Sequence, residues 1–334
     1  MHGRKYWTLN YPSAVAGSKT LLTGIRGIRD SKKKVYISGF FEPPTDSLNP
    51  VITFVYKGTI TGNGKWYNFN YPSGPGRTVL VTNFYGPNNG KKCGDIQVVG
   101  NYTTKETGMS TIGCLYEGPL DGSGQWRTII PKSDKPVLNT ICHSTMGGFI
   151  VGNYDTTLIQ GKAFIYDIKN RTSYDIIKES AKSITAYGIW HNGGNYYTIC
   201  GGYSNLNIES GVDAGYLVDW NRETHRLRNF RSYNFNNDPL KSFVTHFDGI
   251  TSDGKNGFNL TGDAIGIDET SVAFFAHVKD KNGRSNRAKW SELSYPGSSG
   301  TSGNSVHETV AIGVYALSDD GTANGYVSIQ CSKL

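Results

Sequence analysis

The sequence predicts an all-β chain: a six-bladed β-propeller of four-stranded antiparallel blades, closed by its own N-terminal strand. Three observations carry this. A unit of about 50 to 60 residues recurs along the 334-residue chain, and a fixed period of that size marks a repeat architecture. Most units hold four short apolar runs separated by turn residues, the pattern of antiparallel strands packed on both faces. A last-strand sequence also stands alone at the N-terminus, with nothing before it. The composition agrees, because 42 glycines, 21 tyrosines and 12% aromatic residues suit short strands and tight turns better than helices.

In chain order, the first strands contain Thr23…Gly27, Thr82…Gly86, Thr140…Ser144, Ile184…Gly188, Thr245…Gly249 and Thr309…Gly313. The second strands end on glycine before an aromatic residue: Gly39-Phe40, Gly100-Asn101-Tyr102, Gly152-Asn153-Tyr154 and Gly201-Gly202-Tyr203, with Gly262-Asp263 departing from the pattern. The third strands are apolar runs: Phe54-Val55-Tyr56, Cys114-Leu115-Tyr116, Phe164-Ile165-Tyr166, Tyr216-Leu217-Val218 and Phe274-Phe275-Ala276. The fourth strands carry Trp66, Trp126 and Trp290, with weaker copies around Tyr174 and Phe230. These tryptophans stand beside apolar residues and read as blade core. The N-terminal Tyr6-Trp7 to Tyr11-Pro12 is a sixth copy of this strand. Residues 5–12 are thus expected to complete a blade begun by residues 307–334, so that residues 1–334 form one domain whose ring hides its edges. In this reading the sixth unit has a first and a second strand but no third.

No stretch approaches the ~20 apolar residues that a membrane span needs, and no membrane partner is expected. Met1 to Tyr6 lead straight into strand-like sequence, so no signal peptide is expected at this end. The net charge of +7 invites a nucleic-acid reading. However, Lys32-Lys33-Lys34 and Lys91-Lys92 follow turn-like segments and precede strands. They read as solvated hairpin ends, and nucleic acid is not expected as a partner. The cysteines at 93, 114, 142, 200 and 331 are odd in number and show no CxxC spacing. Sequons at Asn101, Asn170 and Asn259 lean towards a glycoprotein, secreted or in a secretory lumen. A monomer or weak homo-oligomer is expected.

In such a ring the first strands stand around the axis. Counting three residues on from each threonine position gives Arg26, Tyr85, His143, Tyr187, Asp248 and Ile312. The neighbouring positions hold Thr, Gly or apolar packing residues, so this register alone varies in chemistry. Period-two alternation places Gly24, Asn83, Ile141, Thr185, His246 and Val310 on the same side. Tyr85, Tyr187, His143, Asp248, Arg26 and His246 are the candidate catalytic residues. Asn83, Trp190, Phe247 and Ile312 are the candidate substrate contacts. Longer connections, such as Glu42 to Pro50 and Pro296 to Gly303, gather where the first strands begin and point to that end as the open one.

Hydrolase and metal signatures are missing from the sequence. Gly300-Thr301-Ser302-Gly303 lacks the spacing of a nucleophile elbow. Asp280-Lys281-Asn282-Gly283 is followed by Arg284, where a calcium loop needs an oxygen ligand. Ser318 to Thr322 only partly echoes the turn motif of sialidase propellers. His143, His246 and His307 have no regularly spaced carboxylate partner, so neither a metal nor another cofactor is expected.

Val98-Val99-Gly100 with Cys114-Leu115-Tyr116, and Ile150-Val151-Gly152 with Phe164-Ile165-Tyr166, resemble the HAF-type repeats of extracellular β-propeller proteins. That resemblance spans most of the chain and implies a fold, with little about activity. In length, repeat style and Tyr-Pro strand ends, the chain is also similar to the fungal hetero-Diels–Alderases that join a tropolone quinone methide to a humulene-type sesquiterpene. This second resemblance implies a cofactor-independent cyclase of secondary metabolism, acting on a small, largely apolar organic substrate in the axial cavity. Such a reaction needs reactants held in one orientation and donors aimed at an oxygen that gains charge. Tyr85, Tyr187 and Arg26 are the expected donors. His143, or His246 with Asp248, is the expected acid–base group for unmasking an enone by loss of water. The alternative, from another class, is a non-catalytic secreted propeller that binds carbohydrate or protein.

Overall fold

The computed structural model describes residues 3–45, 50–108, 110–158, 161–179, 181–205, 213–279, 287–318 and 320–330. Its strands form six four-stranded antiparallel sheets, arranged as a six-bladed β-propeller. The five contiguous blades run outward from innermost strands at Lys19–Gly27, Val79–Asn89, Val137–Met146, Ala181–Gly193 and Ser242–Ser252. The sixth starts at Gly300–His307, continues through Val310–Ala316 and Asn324–Gln330, and takes Arg4–Thr8 as its outer strand. Arg4 to Thr8 pair with Gln330 to Tyr326, and the Thr8 hydroxyl lies 2.7 Å from the hydroxyls of both Tyr295 and Tyr315. The ring therefore closes without a covalent link, and no long strand edge is left open at the seam.

The sixth blade has all four strands, which corrects the reading that lacked a third. Thr309 lies in the turn after the innermost strand, and Gly313 belongs to the second strand. The reason is steric and recurs in every blade. A Cβ on Gly39, Gly100, Gly152, Gly201, Gly262 or Gly313 would lie 1.8–2.1 Å from a carbonyl oxygen of the paired innermost strand. Only glycine allows that approach. Opposite each glycine the innermost strand carries a bulge, an extra residue that interrupts the ladder and turns its side chain towards the axis.

A second recurring device sets the register. The backbone N–H groups of Tyr11, Tyr71, Phe235 and Tyr295 donate to the hydroxyls of Thr20, Thr82, Thr245 and Thr301, at 3.2, 3.0, 2.9 and 3.1 Å. The register threonines of the first and last blades are thus Thr20 and Thr301, not Thr23 and Thr309. Thr20…Gly24 and Thr23…Gly27 share one spacing, so the sequence offers two registers three residues apart.

Packing between sheets is aromatic. Trp66 lies 4.7 Å from Phe54, Trp126 4.9 Å from Tyr116 and Trp290 4.8 Å from Phe274, ring centre to ring centre. All three tryptophans are half-buried against blade cores. Each such ring contributes its buried area plus about 0.5–1.5 kcal/mol from its edge-to-face contacts. Cys114, Cys142 and Cys200 are buried and Cys93 exposed, all as free thiols, while Cys331 and the segment from Asp280 to Arg284 lie outside the described residues. The Asn101 and Asn259 sequons are 3% and 7% exposed, which closes them to a glycan in the folded chain, whereas Asn170 is exposed in a turn.

Candidate functional site

The six bulges place Thr23, Tyr85, His143, Tyr187, Asp248 and Asn304 around the axis. One layer nearer the strand starts are Leu21, Asn83, Ile141, Thr185, His246 and Ser302, each paired with the residue that follows a recurring glycine. Both layers are half-buried. Four candidates from the sequence thus share the bulge ring, and Asn83 and His246 stand in the layer above it.

Three candidates are placed elsewhere, and a fourth sits at the opposite end. Ile312 is fully buried in the second strand of the last blade, packed in the core with Ile25 and Val327. Asn304 takes its ring position. Phe247 is fully buried between blades, stacked on Trp290 at 5.9 Å, because it is the inward neighbour of a bulge residue. Arg26 lies three residues past the bulge of the first blade and only 8% of it is exposed. Trp190 is at the far end of the axis, with the Arg26 guanidinium 5.4 Å from its ring centre.

Around the ring, Tyr85, His143, Tyr187 and His246 form a file of aromatic side chains, with centroids 5.2, 4.5 and 5.8 Å apart. His143 Nε2 is 2.7 Å from Asn153 Oδ1. An amide oxygen only accepts, so Nε2 carries the proton and Nδ1 remains as the basic nitrogen. Burial holds this imidazole down at about 4, against the smaller opposing effect of Asn153, so it stays neutral at pH 7. Burial pushes Tyr187 up to about 12, helped by the Asp248 charge, and raises Tyr85 as well. Both phenols remain donors.

The fifth blade differs from the rest. His246 Nδ1 lies 3.0 Å from Asp248 Oδ1, and Asp263 is its cross-strand partner. One donor atom from each of the three falls within 4.8 Å of the other two. Burial disfavours the His246 cation, but Asp248, Asp263 and Asp213 outweigh it and hold the imidazole at about 9. Burial and the adjacent Asp248 charge push Asp263 up to about 7, although Gly303 N–H donates to it at 3.0 Å. Asp248 Oδ2 is buried and has no partner among the described residues. Asp263 was missed in the sequence because Gly262-Asp263 looked like an irregular strand end. The break from the aromatic pattern after glycine was its signal. The sequence paired His246 with Asp248 alone, and strand pairing adds Asp263 as a second carboxylate. This is the one group among the described residues whose donor atoms could converge on a metal ion.

Below the ring the axis is closed. Ile25, Pro87, Ile250 and Val306 are buried there, at a void of about 20 Å³ that the ring residues Thr23, Tyr85, His143, Tyr187 and Asp248 and the Arg26 side chain also line. A space of that size holds one water. The larger cleft, about 1200 Å³, lies on the other face, where the innermost strands of blades 4, 5 and 6 end. Loop length therefore pointed to the end that holds the ring, while the 1200 Å³ cleft faces away from it.

No protein-family model and no curated protein matches the chain. Among solved structures it is similar to an α-L-arabinanase from Penicillium chrysogenum, at 12% identity and a TM-score of 0.50, over 98% of this chain and 99% of that one. An α-L-arabinofuranosidase from Fusarium graminearum aligns at 11% identity and 0.49, over 97% and 96%. The WD40 domain of Neurospora crassa Pan2 aligns at 11% and 0.47, over 100% and 98%. The likeness is one of fold. At such identities it says nothing about which reaction, if any, the ring supports.

Proposed function

We propose that the axial basin is the active site of a cofactor-independent enzyme that dehydrates a small β-hydroxy carbonyl compound and guides the resulting enone into ring closure. The observation that carries this reading is the meeting of His246, Asp248 and Asp263 within 4.8 Å beside the Tyr85–His143–Tyr187 file. Asp263, held at about 7, is matched to neutral pH as a general acid. It protonates the leaving hydroxyl as His143 Nδ1 accepts the α-proton. The C–O bond breaks, the C=C bond forms, and water leaves. Asp263 ends as carboxylate and His143 as imidazolium, and one proton exchanged through solvent resets both. Tyr85 and Tyr187 donate to the carbonyl oxygen as it gains charge, and the closed floor excludes bulk water from below. Cycloaddition of the enone with a polyene then needs orientation alone.

The three repeated tryptophans are packed into blades and do not favour one sugar site per blade.

The test is turnover of an aromatic β-hydroxy ketone, followed by its enone absorbance, with and without a conjugated diene. Formation of enone that depends on Asp263 supports the proposal. A rate no faster than that of the Asp263→Asn variant would remove it.

A further inference from the structure

The cleft on the opposite face belongs to no part of the axial site, since the buried plug of Ile25, Pro87, Ile250 and Val306 separates them. We propose that it is a second ligand site, which binds a neutral oligosaccharide. At about 1200 Å³ it exceeds the roughly 300–1,000 Å³ of a small-molecule pocket, leaving room for several sugar units.

Its charge balance selects against ionic ligands. Four carboxylates and three Lys or Arg side chains line it. Two of those carboxylates, Asp219 and Asp253, are already paired with Arg231 at 3.2 Å and His277 at 3.0 Å. No field of one sign develops, so neither a nucleic acid nor a polyanion is drawn in.

Its surface has the two features that a sugar ring requires. The first is aromatic area at the protein boundary. The Tyr196 ring is 59% exposed, and Trp190 is half-buried in the cleft wall. An exposed ring of that size offers apolar area that the C–H face of a pyranose can cover. The second is unspent hydrogen-bonding capacity. Trp220, only 1% exposed, lines the cleft, and its indole N–H has no partner among the described residues. His307 Nδ1 in the same wall also lacks one. Buried polar atoms without partners are uncommon in folded proteins, and these two belong to residues of the cleft wall.

The experiment is calorimetric titration of the whole protein with cello-, xylo-, manno-, malto-, arabino- and chitin-type hexaoses. A free high-mannose N-glycan forms a further arm, which distinguishes a glycoprotein source from a polysaccharide one. We expect one of these to bind saturably at one site per chain. Tyr196→Ala should weaken it at least tenfold without changing the melting temperature. Asp263→Asn, which disables the axial basin, should leave the affinity unchanged, so the two readings stand or fall separately. No binding by any probe, or binding unaffected by Tyr196→Ala, would overturn the site.

Discussion

Blades 2 and 5 share one backbone plan and differ at three axial positions. Blade 2 carries Asn83, Tyr85 and Asn101, where blade 5 carries His246, Asp248 and Asp263. A Cβ on the recurring glycine, Gly100 or Gly262, would lie 1.9 Å from the corresponding carbonyl oxygen in both, and the register threonine makes the same hydrogen bond. The packing tryptophan, Trp126 or Trp290, sits 4.9 or 4.8 Å from its third-strand partner ring. The glycine, the bulge and the register threonine are repeated, while the groups that face the axis change. In blade 2 the change yields neutral amides and a phenol. In blade 5 it yields an ion pair and a carboxyl group that titrates near neutrality.

The largest expected effect is on turnover. Asp263→Asn, which gives blade 5 the amide of blade 2, should lower the dehydration rate by about a hundred- to ten-thousand-fold, the range for a positioned general acid. Circular dichroism should show an intact fold. Equal loss on introducing Asn101→Asp in blade 2 would mean that the two blades are not functionally distinct.

Next in size is stability. Trp126→Ala and Trp290→Ala should each cost about 3 kcal/mol or more in denaturant melts, because each empties a packed site between sheets. The comparison predicts nearly equal losses. A stability cost confined to one of the two would show that the blade cores are not equivalent.

A smaller effect is the pH dependence of that stability. His246 at about 9 and Asp263 at about 7 both bind a proton more tightly in the folded chain than in the unfolded one. The His246 contribution is complete below about 6.5 and lost as pH rises through about 9. The Asp263 contribution is complete only below about 4 and lost as pH rises through about 7. The melting temperature should therefore fall by a few degrees between pH 5 and pH 9, and the His246→Gln/Asp263→Asn double variant should flatten this slope. An unchanged slope would indicate that the fifth-blade cluster does not titrate as described.

The smallest expected change is in Tyr85→Phe, which removes a half-buried hydroxyl that faces the axis. Its stability should stay within about 0.5 kcal/mol of the parent. Its rate should fall less than that of Tyr187→Phe, since Tyr187 lies beside His246 and near the Asp248 charge.

Most of the architecture was legible because it is dictated locally. The glycine before each second-strand turn, the apolar third strand and the tryptophan of the fourth recur for steric reasons that hold within one blade. The N-terminal half-unit announced the closure, since Trp7 stands in register with Val327 only if the ring comes round. The register of the first and last blades was less legible. Thr20 and Thr23 offer the same spacing to glycine, and the choice rests on a hydrogen bond from Tyr11, nine residues earlier in sequence and across the seam between blades.

By itself, then, the sequence determined a ring of six repeated units and, in four of them, the register in which their chemistry varies, because both follow from the pleat and from packing inside a blade. The tertiary structure decided which polar groups meet. Asp263 reaches His246 through strand pairing, Asn304 replaces Ile312 through a bulge, and the cleft gathers side chains from three blades. Those distances are set by how blades pack around a common axis, and no local spacing in the chain encodes them.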